Sequence, residues 1–125
     1  MEKKRLLVIE DDSVLQAALK DFLIAENFEV SCALDGEEGV TAAISQKPDL
    51  ILLDIILPKK DGYSVIKEVR ANEATKRIPI VLLTNLGSLN DVEKALELGA
   101  TTYLVKADYK LEEVVSKVKE ILKLA

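Results

Sequence analysis

A chain of 125 residues and 13.8 kDa amounts to one domain, residues 1–125, because two cores of half that size would each lie near the limit of independent stability. Its 49% hydrophobic and 31% charged residues are ordinary globular usage; a histidine count of zero and a single cysteine, Cys32, exclude Ser-His-Asp and Cys-His catalysis, His-ligated metals and an internal disulfide. The net charge of −5 weighs against nucleic acid as a partner, and no apolar run approaches the roughly 18 residues of a membrane span, so a cytoplasmic protein without membrane or nucleic-acid contacts is expected.

Two kinds of segment alternate along the chain. Leu6-Leu7-Val8-Ile9 is a short continuous apolar run of the sort buried on both faces of a parallel sheet, and Val14, Leu15, Ala18, Leu19, Phe22 and Leu23 follow it at helical spacing. Asp12 or Ser13 is placed to cap that helix. Phe28–Ala33 is a weaker, edge-like strand, after which Asp35-Gly36 opens a second helix that Lys47-Pro48 stops, since proline disfavours helical geometry in the residue before it. Leu50-Ile51-Leu52-Leu53 is the third strand and Asp61-Gly62 opens the third helix. Ile78–Leu83 is the fourth strand, Asn90 with Glu93 resembles a capping box for the fourth helix, and Gly99 stands where a glycine would end it. Thr101–Val105 is a second edge-like strand, and Leu111, Val114, Val115, Val118, Ile121 and Leu122 form the apolar stripe of the last helix.

Five βα units with short loops imply an α/β fold of three layers: a five-stranded parallel sheet with helices on both faces and right-handed crossovers, in the flavodoxin-like strand order 2-1-3-4-5. In such a sheet the functional crevice lies beyond the carboxyl ends of the strands, at the switch between strands 1 and 3. Strand 1 ends in Glu10-Asp11-Asp12 and strand 3 in Asp54, so three or four carboxylates converge there. Charges that close repel unless a cation compensates, and a hard divalent ion with oxygen ligands, Mg²⁺ above all, suits carboxylates, water and phosphate oxygens. Asp12 serves equally well as a helix cap. Thr84 and Lys106, at the ends of strands 4 and 5, could each hold a phosphoryl oxygen; taken singly they read equally as a β-branched strand residue and a solvated loop lysine. The charges balance, −3 from Glu10, Asp11 and Asp54 against +3 from one Mg²⁺ and Lys106. Residues 1–62 hold 7 basic and 13 acidic side chains, so the acid excess lies in the half that carries this cluster.

Leu7-Val8-Ile9-Glu10-Asp11-Asp12, Leu53 through Gly62 with its Asp54, Pro58 and Asp61-Gly62, Leu83-Thr84, and Gly99-Ala100 through Lys106 together resemble the receiver domain of bacterial two-component response regulators, in its stand-alone, chemotaxis-regulator-like form. The resemblance covers essentially the whole chain. It implies that Asp54 is the phosphoacceptor, served by a phosphohistidine on a sensor histidine kinase or phosphotransfer protein. Mg²⁺ would be held by Asp11 and Asp54, by Glu10 through water and by the Ile56 carbonyl, while Lys106 and Thr84 hold the phosphoryl oxygens. Thr84 and Tyr103 would form the switch, signalling through the face of helix 4, strand 5 and helix 5, with Leu86, Leu89 and Tyr103 on or beside it. The chain would catalyse only its own phosphoryl transfer and dephosphorylation, as a monomer or a weak phosphorylation-dependent dimer. The sequence stops at Ala125, so output is expected through contacts with a downstream protein.

Three positions depart from the family pattern. Ala107 replaces the proline that follows the lysine, which favours a trans Lys106-Ala107 bond, a non-proline cis bond costing about 2.5–4 kcal/mol. Asn85 replaces a small residue after Thr84. Ile56 and Leu86 are apolar where polar residues orient hydrolytic water, which implies a long-lived phosphoaspartate. Rival readings are weaker: a flavin phosphate would be repelled by Glu10-Asp11-Asp12, and an aspartate phosphatase would carry its nucleophile on strand 1. The alternative of another class is a pseudo-receiver, an interaction module that is not phosphorylated.

Overall fold

The computed structural model describes residues 3–55, 57–84, 89–105 and 110–123. Elements alternate strictly: β1 (Arg5–Ile9), α1 (Ser13–Ala25), β2 (Glu29–Ala33), α2 (Gly36–Gln46), β3 (Leu50–Asp54), α3 (Gly62–Ala71), β4 (Ile80–Thr84), α4 (Leu89–Leu98), β5 (Thr102–Val105) and α5 (Leu111–Leu122). The strands form one parallel sheet in the order β2-β1-β3-β4-β5, with the two weaker runs at its edges, as expected.

Side chains of a strand alternate between its faces, and the core divides accordingly. Leu7, Ile9, Ile51, Leu53, Ile80 and Leu82 point to one face, under Val40 and Ala43 of α2, Val65, Ile66 and Val69 of α3 and Ala95 of α4. Leu6, Val8, Leu50, Leu52, Val81 and Leu83 point to the other, under Leu19 and Leu23 of α1 and Val114, Val115 and Val118 of α5. Both faces of β1, β3 and β4 are therefore apolar, which is why those strands carry unbroken hydrophobic runs.

The expected caps of the first three helices are present: Asp12, Asp35 and Asp61 each accept main-chain N–H groups of the following turn. Lys47 closes α2 in the left-handed region at φ 48°. Gly99, at φ 119°, donates to the Leu96 carbonyl at 3.1 Å while Ala100 donates to that of Ala95 at 3.0 Å, the paired bonds of a Schellman ending. Arg70 locks this ending in place, its Nε donating to the Gly99 carbonyl at 2.9 Å and its guanidinium to the carbonyls of Lys76 and Ile78.

Two expectations are corrected. Helix α4 begins at Leu89, so Asn90 lies inside its first turn and is not the cap of a capping box. In α1, Val14 is 79% exposed and Ala18 is exposed, whereas Leu15, Leu19, Phe22 and Leu23 carry the packing. Helical periodicity marks one apolar stripe, and Leu15, Leu19, Phe22 and Leu23 make the contact with the sheet without Val14 and Ala18.

Candidate functional site

The register decides what meets at the crevice. Ile9 pairs with Leu53, so the residues that follow them, Glu10 and Asp54, leave neighbouring strands side by side. Glu10 is fully buried, Asp54 is 6% exposed and Asp11 is open to solvent. Carboxylate oxygens of these three residues all lie within 4.8 Å of one another.

Asp12 turns away from this cluster. Its Oδ1 accepts the Val14 and Leu15 N–H groups at 3.0 and 3.1 Å, which settles it as the α1 cap, and its own N–H donates to Glu10 Oε2 at 3.2 Å. Gln16, which sequence reasoning passed over, sits one turn into α1 and donates through Nε2 to the main-chain carbonyls of Glu10 at 3.1 Å and Ala33 at 2.8 Å.

The β3–α3 loop is held from below by two glycines. A Cβ on Gly62 would stand 2.6 Å from Ile55 Cα and 2.8 Å from the Asp54 carbonyl oxygen, so only a bare Cα lets α3 start this close behind Asp54. The Gly62 N–H donates to the Ile55 carbonyl at 2.7 Å. Gly36 performs the same service under Lys60, whose carbonyl oxygen a Cβ would meet at 1.8 Å. Lys59 takes a left-handed conformation at φ 66° and faces Asp35 across 3.7 Å.

On the other side of the crevice, Asp54 pairs with Leu83, and the next residue, Thr84, closes β4 opposite Val105. The backbone thus brings Thr84 to the same end of the sheet, one strand over from Asp54. Tyr103 lies mid-strand on β5, 40% exposed, and is not part of the carboxylate cluster. Ile56, Asn85, Leu86, Lys106 and Ala107 lie outside the described residues, as does the side chain of Leu89.

The donor set fits Mg²⁺. Two oxygens each about 2.1 Å from one ion lie no more than about 4.2 Å apart, so a cluster within 4.8 Å suits an ion bound partly through water, which is how Mg²⁺ prefers to bind. Burial of two carboxylates beside a third is costly unless a cation offsets their repulsion.

Residues 6–119 match the family model described as the response regulator receiver domain, and the chain belongs to that family. It is 36% identical over 119 residues to the DNA-binding dual master transcriptional regulator RpaA of Synechocystis sp., covering 95% of this chain and 49% of RpaA. It is 41% identical over 119 residues to the transcriptional regulatory protein PrrA of Mycobacterium leprae, covering 95% of this chain and 50% of PrrA. Among solved structures, the receiver domain of the sensor histidine kinase PA1611 from Pseudomonas aeruginosa, with a magnesium ion coordinated in its active-site cleft, superposes with a TM-score of 0.87 at 34% identity, covering 95% of this chain and 97% of that one.

The chain spans about half the length of the curated relatives named above, which are transcriptional regulators, and these relatives do not bear on the expected stand-alone, chemotaxis-regulator-like form. One of them is a DNA-binding protein by name, which overturns the expectation that nucleic acid is excluded. A net charge of −5 speaks only for the residues that carry it, and the relatives act over twice this length. Among the described residues no helix is long and apolar enough to cross a membrane.

Proposed function

We propose that this chain is a phosphorylation-operated switch that accepts a phosphoryl group on Asp54 from a phosphohistidine of a sensor histidine kinase or phosphotransfer protein. The observation that carries the reading is the buried Asp54 carboxylate at the end of the central strand, clustered within 4.8 Å with those of Glu10 and Asp11. These 125 residues hold no histidine, so the donor imidazole lies outside them.

An Asp54 carboxylate oxygen attacks the phosphorus, the N–P bond of the donor breaks, and its electron pair leaves with the imidazole, which takes up a proton from solvent. A carboxylate needs no base for this step. Asp54 is held by β3 from one side and by the Gly62 contact from the other, so positioning is built into the backbone. Glu10, Asp11 and Asp54, with the Ile56 carbonyl, would hold Mg²⁺, which would supply neutralisation of the charge on the transferred oxygens. Lys106 and the Thr84 hydroxyl take the remaining phosphoryl oxygens. The chain has no substrate other than its own aspartate and works in the cytoplasm.

The new acceptor on Asp54 draws Thr84, and Tyr103 moves in from its exposed position to follow, which biases the face of α4, β5 and α5. Transcriptional control, as in the DNA-binding relative, is the process that we assign downstream of this face. No observation favours a phosphorylation-independent module.

Incubation with acetyl phosphate and Mg²⁺, followed by intact-mass measurement, should add one phosphoryl group to the wild type and none to Asp54→Asn. A modified Asp54→Asn, or an unmodified wild type, would refute the assignment. With Ile56 and Leu86 apolar, the adduct should outlast seconds at neutral pH.

A further inference from the structure

Regular pairing between β1 and β3 ends at Ile9 and Leu53, so the ladder does not determine in which direction the chain carries Glu10 and Asp11 away from the sheet. Asp11 is exposed, so the packing of its side chain does not determine its path either. The main chain here is held by a ring of hydrogen bonds: the Glu10 N–H donates to the Ala33 carbonyl at 3.1 Å, and the Gln16 amide bridges the carbonyls of Glu10 and Ala33 at 3.1 and 2.8 Å. Both partners are acceptors, which identifies the amide nitrogen as the group facing them, and a primary amide has two hydrogens, one for each.

We infer that Gln16 is a positioning residue for the metal site: its side-chain amide fixes the Glu10–Asp11 peptide plane and thereby sets the affinity for Mg²⁺. This rests on the reading of Glu10, Asp11 and Asp54 as the Mg²⁺ cluster. A carboxylate on a free-swinging peptide loses orientational freedom when it takes a metal, whereas one whose main chain is already clamped at both N–H and C=O loses less. Gln16 touches neither the ion nor the phosphoryl group. It acts through the main chain, from a helix that packs rigidly on the sheet through Leu19 and Leu23.

The charge of a replacement separates this mechanism from plain electrostatics. Gln16→Met keeps length and helix propensity and removes both donors. Gln16→Glu keeps the shape but turns an acceptor toward two carbonyls and adds a negative charge near a cation site. If Gln16 matters only through local charge, Gln16→Glu binds Mg²⁺ more tightly; if it clamps the peptide, both variants bind more weakly.

The test is calorimetric titration of the full chain with MgCl₂ at constant ionic strength, with amide shifts of Asp11 and Asp12 recorded before metal is added. The expected result is a dissociation constant raised about 10-fold in both variants, in the range typical when a group that orients metal ligands is lost, with both amide shifts displaced in the metal-free proteins. A Gln16→Met variant that is less stable yet binds Mg²⁺ like the wild type overturns the inference, as does tighter binding by Gln16→Glu. A wild type that does not bind Mg²⁺ overturns the metal reading itself, and is told apart because the variants are then irrelevant to it.

Discussion

Gly62→Ala examines the close approach on which the site is built. The added methyl carbon would stand 2.6 Å from Ile55 Cα, 2.8 Å from the Asp54 carbonyl oxygen and 2.9 Å from that of Ile55. Carbon atoms pack at about 3.5–4.0 Å, so roughly 1 Å of displacement is required, and every atom in the way is main chain. Overpacking of this kind costs about 1–3 kcal/mol, and the shift also weakens the 2.7 Å bond from the Gly62 N–H to Ile55, worth about 1 kcal/mol. Against this stands a helix-propensity gain of up to about 1 kcal/mol for alanine. The balance is a destabilisation of about 2 kcal/mol. For 125 residues the unfolding entropy near the midpoint is about 0.26 kcal/mol/K, which converts that loss to a Tm lower by about 8 °C. Scanning calorimetry of Gly62→Ala beside Ser45→Ala, an exposed position of α2 expected to stay within about 0.5 kcal/mol, reads the difference. A Tm for Gly62→Ala within 2 °C of wild type, roughly 0.5 kcal/mol on the same scale, would refute the reasoning. The atoms pushed aside belong to Asp54 and Ile55, so phosphoryl acceptance from acetyl phosphate should slow as well.

Arg70→Met should leave the carbonyls of Gly99, Lys76 and Ile78 without the guanidinium and lower stability by about 2 kcal/mol, seen as a lower urea midpoint; an unchanged midpoint would show that the lock is idle. Burial pushes the Cys32 thiol above its ordinary pKa, more than the nearby Lys20 ammonium pulls it down. Its thiolate fraction at pH 8 is therefore below that of an open cysteine, and iodoacetamide should react several-fold more slowly than with an unstructured peptide thiol, the deficit shrinking as pH rises. Equal rates at pH 8 would contradict the burial of Cys32.

Much of the architecture was legible because each signal is local. A strand buried on both faces has to be apolar at every position, as Leu50–Leu53 are, and a helix start has to satisfy its free N–H groups, as Asp12, Asp35 and Asp61 do. Asn90 failed because a capping box is a short pattern that also occurs inside a first turn. Val14 and Ala18 failed because helical period marks an apolar stripe without saying which of its members make the contact with the sheet.

The sequence by itself determined the alternation, the strand ends and hence the carboxylates Glu10, Asp11 and Asp54, since residue type and spacing are enough to place chemistry at the end of a buried strand. Tertiary structure alone decided that Gln16 reaches back to two carbonyls and that Gly62 lies against the backbone of Asp54. Those are contacts between elements, fixed by strand register and by how each helix sits on the sheet, and no local pattern along a chain encodes a distance of that kind.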